Sequence, residues 1–269
     1  MLYPAQEVLA RLAHSERLWL FLDYDGTLAD FAPTPDIVTP DPVLLDLLAR
    51  LAEKPNLHVA VISGRRLPHL RRLVPVPGIW LAGTYGIELL TASGELKNQL
   101  DYDSIRPALE EIKPQWEKLV ASLPSFYLED KGWSLAIHAR FASGEDSEDI
   151  LGEATQIARC LIEEPHVKQT ANLRLLGGHK FLEVCPQAAD KGRALRYIFA
   201  EGAFPGALPV FIGDDDKDEK AFSAVKALNG IAILVAVEPR PTQADYYLES
   251  PAAARTWLVD LLQSRESAR

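Results

Sequence analysis

Apolar and polar positions along this chain follow two patterns, and the chain passes from the first to the second and back. In the first hundred residues, unbroken apolar runs alternate with helical periods. Leu18-Trp19-Leu20-Phe21-Leu22 runs into Asp23 with no polar position. That is the pattern of a short strand buried on both faces, as in a parallel sheet. Residues 4–14 before it predict a short helix with Pro4 near its start. Residues 29–42 after it hold four prolines and no helical period, which predicts a loop near the strand end. Asp41-Pro42 predicts an N-cap followed by an N1 proline, and Leu44, Leu47, Leu48 and Leu51 recur at helical spacing until Pro55-Asn56. Residues 57–62 and 79–82 predict two more buried strands. Strand, helix and strand in this order imply a right-handed parallel crossover.

From about residue 100 the pattern changes. Residues 104–123 predict a helix that Pro114 should kink or divide. Residues 126–129 and 133–138 predict antiparallel strands joined by a tight turn at Asp130-Lys131-Gly132. Gly144 to Asp149 predicts an acidic loop and helix start, and 150–162 a helix. Two short strands are expected near 172–176 and 180–184, with Gly177-Gly178 as the turn. After Pro186 the first pattern resumes. Asp190-Lys191-Gly192 opens a helix, and 208–212 predicts a strand that ends in Gly213-Asp214-Asp215-Asp216-Lys217-Asp218-Glu219. A helix, a strand over 231–235 and a last helix over 252–262 complete the chain. The expected class is therefore α/β with a mostly parallel sheet. A compact α+β unit, 102–187, is inserted into a core made of 1–101 and 188–269.

Composition changes this picture little. The chain has 269 residues, 48% hydrophobic and 25% charged, enough for a sizeable core. A net charge of −10 disfavours nucleic acid or an anionic membrane as a general partner, while a local basic pocket can still hold a phosphate. Cys160 and Cys185 have no metal-like spacing and are expected as reduced thiols. No basic region followed by an apolar one opens the chain, and no run approaches a membrane span, so a cytoplasmic protein is expected.

The chemistry lies at the strand ends, where open α/β sheets bind ligands. Asp23 and Asp25 stand two apart, so they share a face at the end of the first strand. Carboxylates this close repel unless a cation holds them, and a hard divalent ion with oxygen ligands such as Mg²⁺ does so. A solvated aspartate pair at a turn is the plain alternative. Ser63, in Ser63-Gly64-Arg65, ends the second strand, where a hydroxyl and the next N–H groups can hold a phosphate oxygen. Gly83 and Gly86 around Tyr85 suggest backbone lying close to something. Asp214, Asp215, Asp216 and Asp218 crowd a third strand end. The dipole at a helix start accounts for one or two of them.

The run Asp23-x-Asp25-Gly26-Thr27-Leu28 resembles the nucleophile motif of the haloacid-dehalogenase-like (HAD) phosphatases. Ser63, Lys191 and Asp214-Asp215-x-x-Asp218 follow in the order of that superfamily's other motifs. The resemblance implies a Rossmann-like HAD core and a large α+β cap of the C2 type. It implies that Asp23 attacks phosphorus to form an aspartyl-phosphate and that Asp25 is the general acid and base. Mg²⁺ would be held by Asp23, the Asp25 backbone carbonyl and Asp214, while Lys191 and Ser63 hold phosphoryl oxygens. Gly26, Thr27, Asp215 and Asp218 are expected to support the site.

Within that class the chain looks most like the trehalose-6-phosphate phosphatases. Gly213-Asp214-Asp215-x-x-Asp218-Glu219 with Ala221-Phe222 carries the likeness, as do Gly83-x-x-Gly86-x-Glu88, Glu129-x-Lys131 with His138-x-Arg140, and Glu183-x-x-Pro186. This implies that Arg65, Glu88, Glu129, Lys131, Arg140 and Glu183 bind substrate, with Glu129, Lys131 and Glu183 on sugar hydroxyls and Arg140 near the phosphate. A small-molecule sugar phosphate is the expected ligand, with a monomeric chain and a trehalose-6-phosphate synthase as a partner to consider. Four positions depart from the family pattern. Tyr85 stands for a frequent histidine, Ala139 for an aromatic, Cys185 for an arginine and Lys217 for a threonine. The first three bear on which sugar is bound. Sucrose 6-phosphate and glucosyl- or mannosyl-3-phosphoglycerate phosphatases, and a non-catalytic binding partner of a synthase, stay open as alternatives.

Overall fold

A computed structural model describes residues 3–31, 37–178, 180–238 and 240–267. The chain forms two compact units. Met1–Lys97 with Asp190–Arg269 is one, and Asn98–Ala189 is the other.

In the first unit the strands are β1 (Tyr3–Pro4), β2 (Leu18–Leu22), β3 (Leu57–Ile62), β4 (Trp80–Gly83), β5 (Glu88–Leu90) and β6 (Leu96–Asn98). In the second come β7 (Tyr127–Asp130), β8 (Leu135–His138), β9 (Leu173–Gly178) and β10 (Phe181–Pro186). The chain then returns through β11 (Leu208–Gly213), β12 (Ile231–Val235) and β13 (Tyr246–Leu248). The nine-stranded sheet has the order β1-β13-β12-β11-β2-β3-β4-β5-β6. It is parallel from β1 through β4, and β5 turns antiparallel.

Alternation along β2 explains the unbroken apolar run. Leu18, Leu20 and Leu22 enter one core cluster, and Trp19 and Phe21 enter the other. The first cluster is closed by α1 (Gln6–Ala13), α2 (Pro42–Ala52), α3 (Leu67–Leu73) and α9 (Pro251–Ser267). The second is closed by α7 (Lys191–Glu201) and α8 (Glu219–Ala227). The unit is a three-layer α/β/α sandwich, so its middle strands need apolar residues at every position. Trp19 and Phe21 stack with ring centroids 4.9 Å apart. A pair of this kind contributes about 1 kcal/mol beyond its buried area.

The predicted α2 start forms as expected: the Asp41 carboxylate accepts from the N–H groups of Val43 and Leu44. Arg255 on α9 donates to the Leu28 carbonyl at 2.5 Å and to the Asp41 carboxylate, which fixes both ends of the segment between them. Of the loop expected over 29–42, residues 32–36 lie outside the described residues.

The second unit is an antiparallel sheet, β7-β8-β10-β9, with α4 (Tyr102–Val120), α5 (Gly144–Ile162) and the short α6 (Pro165–Thr170). Pro114 does not divide α4. Its buried stripe of Ile105, Leu109, Ile112 and Trp116 continues past the proline and offsets the lost hydrogen bond. The acidic stretch is helix, not loop: Ser143 caps α5, and Glu145 and Asp146 fill its first turn, where the dipole favours them. Gly177 and Gly178 do not make the turn after β9. They pair with Leu182 and Phe181 in the ladder, and Lys180, just before β10, takes φ +53°. Across this sheet Glu129, Ala136, Glu183 and Leu176 stand side by side.

Candidate active site

The register of the first unit's sheet builds the site. Leu22 pairs with Ile212 on one side and Val61 on the other, so the residues after β2, β11 and β3 emerge at one edge. Those residues are Asp23, Asp214 and Ser63. Asp23 N–H still donates to the Ile212 carbonyl at 2.9 Å, which holds the carboxylate at the sheet edge.

Lys191 is the first residue of α7, and Asp190 caps that helix by accepting from Arg193 N–H. Its ammonium lies 2.7 Å from Asp23 Oδ1 and 2.6 Å from Asp218 Oδ1. The other Asp218 oxygen accepts from the N–H groups of Asp214 (3.0 Å) and Asp215 (3.2 Å). Thr27 Oγ1 donates to Asp214 Oδ1 at 3.2 Å and lies 3.5 Å from Asp23 Oδ2. Gly26 makes this closeness possible. Its φ is +80°, and a Cβ there would sit 2.2 Å from Asp214 Oδ2.

The electrostatics follow from burial. Burial pushes the Asp23 carboxyl well up; the Lys191 ammonium opposes this and the Asp214 carboxylate adds to it. Asp214 is pushed up to about 7, first by burial and then by Asp218. Burial alone would push Lys191 down, but Asp218 and Asp23 outweigh it and hold it well above the usual ammonium range. Asp23, Asp214 and Asp218 each offer an oxygen within 4.8 Å of the others. Hard oxygen donors at this spacing suit a hard divalent cation. Asp218 has both oxygens engaged, by Lys191 and by the N–H groups of Asp214 and Asp215, and Asp23 Oδ1 shares the Lys191 ammonium.

Asp25 is placed apart from that cluster. Its carboxylate takes a bidentate pair from Arg65, Nε and Nη2 both at 2.6 Å, and Arg65 Nη1 lies 3.3 Å from His69 Nε2. Ser63 Oγ accepts from Arg65 N–H at 3.1 Å. Glu88 Oε2 accepts from Leu67 N–H (3.1 Å) and Thr84 Oγ1 (3.0 Å), which ties the 84–86 turn to the start of α3. Asp215 caps the short turn 216–218, accepting from Lys217 N–H at 2.8 Å.

In the second unit Glu183 is fully buried. Its Oε1 accepts from Lys131 Nζ (3.1 Å) and Ser134 Oγ (2.6 Å). Glu129 Oε2 lies 3.0 Å from His138 Nε2. Arg140 is exposed, just past β8. Cys185 is buried and its thiol is pushed up to about 12 by burial. Sequence reasoning did not single out Ser134, Thr84 or Arg240. Only Ser134 left a signal, a polar position before the apolar strand Leu135–His138. A cleft of about 380 Å³ at the start of β3 and β4, lined by His58, Trp80, Ser93 and Glu201, lies at the opposite ends of those strands from Ser63.

A family model described as trehalose-phosphatase matches residues 21–252. The chain belongs to the trehalose-phosphatase family. The trehalose-phosphate phosphatase of Mycobacterium marinum is 34% identical over 241 residues, 87% of this chain and 58% of the relative. A probable trehalose-phosphate phosphatase of Oryza sativa is 27% identical over 264 residues, covering 96% and 69%. The chain thus spans less than two thirds of the mycobacterial relative. Among solved structures, Aspergillus fumigatus trehalose-6-phosphate phosphatase superposes with a TM-score of 0.68 at 26% identity, covering 97% of this chain and 99% of that one. The C-terminal domain of the Candida albicans enzyme gives a TM-score of 0.83 at 19% identity over 97% and 98%, a likeness of fold. The expected HAD-type α/β core with an α+β insert is therefore the fold of this trehalose-phosphatase family member. Among its described residues no helix is long and apolar enough to cross a membrane.

Proposed function

We propose that this chain is a Mg²⁺-dependent phosphatase that hydrolyses trehalose 6-phosphate to trehalose and phosphate. One observation carries the reading: Lys191 stands between Asp23 and Asp218 at 2.7 and 2.6 Å, with Asp214 alongside, at adjacent parallel strand ends. Asp23 is buried at that edge, with the Lys191 ammonium 2.7 Å from its Oδ1.

In the first step an Asp23 oxygen bonds to phosphorus and the bond from phosphorus to the sugar oxygen breaks. Asp25 gives that oxygen its proton. In the second step water attacks phosphorus, Asp25 takes its proton, and the bond between Asp23 and phosphorus breaks to release phosphate. Asp25 must exchange its Arg65 partner for the sugar oxygen to do this, which places Arg65 beside the incoming substrate. Lys191 and Ser63 hold phosphoryl oxygens. A bound Mg²⁺, on Asp23, Asp214 and the Asp25 carbonyl, supplies neutralising charge for those oxygens.

The second unit serves as the cap that recognises the sugar. Glu129, Lys131 and Glu183 offer donors and acceptors for hydroxyls, and Arg140 offers a cation for the phosphate. Lys131 and Ser134 pre-orient Glu183.

The test is phosphate release with and without Mg²⁺ from trehalose 6-phosphate, sucrose 6-phosphate, glucosyl- and mannosyl-3-phosphoglycerate and glucose 6-phosphate, with Asp23→Asn as control. Preference for trehalose 6-phosphate, lost in the control, supports the whole reading. Equal turnover of all five keeps the phosphatase and discards the sugar. Turnover that survives Asp23→Asn removes the mechanism, and no release from any substrate favours a binding partner of a synthase.

A further inference from the structure

One side chain at the acidic strand end belongs to none of the motifs above. Arg240 comes from the segment between β12 and β13. Its Nη1 donates to Asp216 Oδ1 and Glu219 Oε1, both at 3.0 Å. Its Nη2 donates to the main-chain carbonyl oxygen of Asp214 at 3.2 Å. The second Glu219 oxygen accepts from Gln243 N–H at 2.7 Å, which latches the same segment down.

Asp214 is therefore held at three points. Its N–H goes to Asp218, its carboxylate receives Thr27, and its carbonyl receives Arg240. The first two partners sit in the catalytic motifs. Arg240 comes from elsewhere in the chain. A planar guanidinium spreads its donors over a rigid fork that matches a carbonyl and two carboxylates at separate positions, whereas an ammonium offers its donors from a single nitrogen.

We infer that Arg240 is a positioning residue for divalent-cation binding, acting through the Asp214 backbone. This rests on reading Asp23 and Asp214 as the metal site. Two effects oppose one another when Arg240 is removed. Freeing the Asp214 carbonyl loosens a ligand residue and weakens cation binding. Removing a positive charge near carboxylates strengthens it. The first effect prevails, because the Arg240 charge is already paired with Glu219 and with Asp216, which is 94% exposed and solvent-screened. The anchor, by contrast, acts on the ligand residue itself. Partners that orient metal ligands are worth about 10- to 100-fold in affinity.

The experiment is calorimetric titration of Mg²⁺ into the full chain without substrate, for wild type, Arg240→Met and Arg240→Lys. Far-UV circular dichroism and melting in EDTA report the fold. Arg240→Met is expected to bind Mg²⁺ about tenfold more weakly or worse. Arg240→Lys, which keeps the charge and loses the fork, should fall between it and wild type. Equal or tighter binding by Arg240→Met overturns the inference. If Arg240→Met does not fold, Arg240→Lys decides: wild-type affinity there overturns the inference, and weaker binding supports it. A wild-type chain that binds no Mg²⁺ overturns the metal reading and, with it, the role given to Arg240.

Discussion

Gly26→Ala should abolish most turnover while leaving the protein folded. The added methyl meets two obstacles. The backbone at 26 has φ +80°, a conformation that costs an L side chain about 1–2 kcal/mol. The Cβ would also lie 2.2 Å from Asp214 Oδ2, 2.5 Å from Asp214 Cγ and 2.7 Å from Phe31 Cε2. Ordinary contact begins at 3.4 Å, so the Asp214 carboxylate must retreat by more than 1 Å. That movement breaks its 3.2 Å bond from Thr27 and displaces it from Asp23. A misplacement of about 1 Å in an active site costs on the order of 100-fold, or about 2.7 kcal/mol of barrier. The expected result is a fall in kcat/KM for trehalose 6-phosphate of about 100-fold or more. Phosphate release measures it, and thermal unfolding should show a shift of only a few degrees. Gly26→Ala with more than half of wild-type kcat/KM would refute the claim that Asp214 must sit against residue 26.

Three further outcomes follow from named contacts. Lys131→Met should destabilise the chain by about 3–5 kcal/mol, because it leaves the Glu183 carboxylate buried without its cation; urea unfolding of Lys131→Met/Glu183→Leu should recover most of that, and a single-variant loss under about 1 kcal/mol would contradict the argument. Asp130 is held by Arg106 first, then by Lys113 and the Gly132 N–H, which keep its carboxyl well below the usual range. A depressed folded pKa means the contribution is complete above the unfolded value of about 3.9 and is lost as the pH falls below it. Stability at pH 3 relative to pH 6 should therefore drop more in wild type than in Asp130→Asn, and parallel curves would remove Asp130 as a cause. Asp218→Asn should lower kcat about 10- to 100-fold by releasing Lys191, with Mg²⁺ affinity little changed, because the amide oxygen can still accept from the Asp214 and Asp215 N–H groups while the amide nitrogen no longer holds the ammonium. A matching loss of Mg²⁺ affinity would make Asp218 a metal ligand instead.

Much of the core was legible because its signal is local. Five apolar residues entering Asp23 report a strand covered on both faces, and the structure divides them between two core clusters. Burial within the acidic run was not legible. Asp216 and Asp218 are the same residue two positions apart, yet the Asp216 side chain is 94% exposed and that of Asp218 fully buried. The short turn over 216–218 decides this by aiming Asp218 back at the N–H groups of Asp214 and Asp215. Glu88 carries a contact that its sequence position does not reveal. Its Oε2 receives Leu67 N–H and Thr84 Oγ1. The strands β1, β5, β6 and β13 have two or three residues each, too few for any period to register.

The turn after β4 explains why a departure from the family pattern at Tyr85 leaves the placement of Ser63 and Lys191 undisturbed. Thr84 and Tyr85 both take left-handed angles, φ +46° and +56°, an unfavourable conformation for such residues. What holds them there is hydrogen bonding by the main chain. Thr84 N–H donates to the Arg65 carbonyl at 2.7 Å, and Tyr85 N–H donates to the Ser63 carbonyl at 2.9 Å. The Tyr85 carbonyl in turn accepts from Asp190 N–H at 3.1 Å, one residue before Lys191. The loop that carries Ser63 and the helix that carries Lys191 are thus spaced by the backbone of residue 85. The side chain at 85 has a separate task, covering Gly64, where a Cβ would lie 2.7 Å from the Tyr85 ring. Spacing set by a backbone survives a change of side chain, provided residue 64 stays small enough to receive the ring. The Ser63-Gly64-Arg65 motif and the 83–88 turn therefore constrain one another.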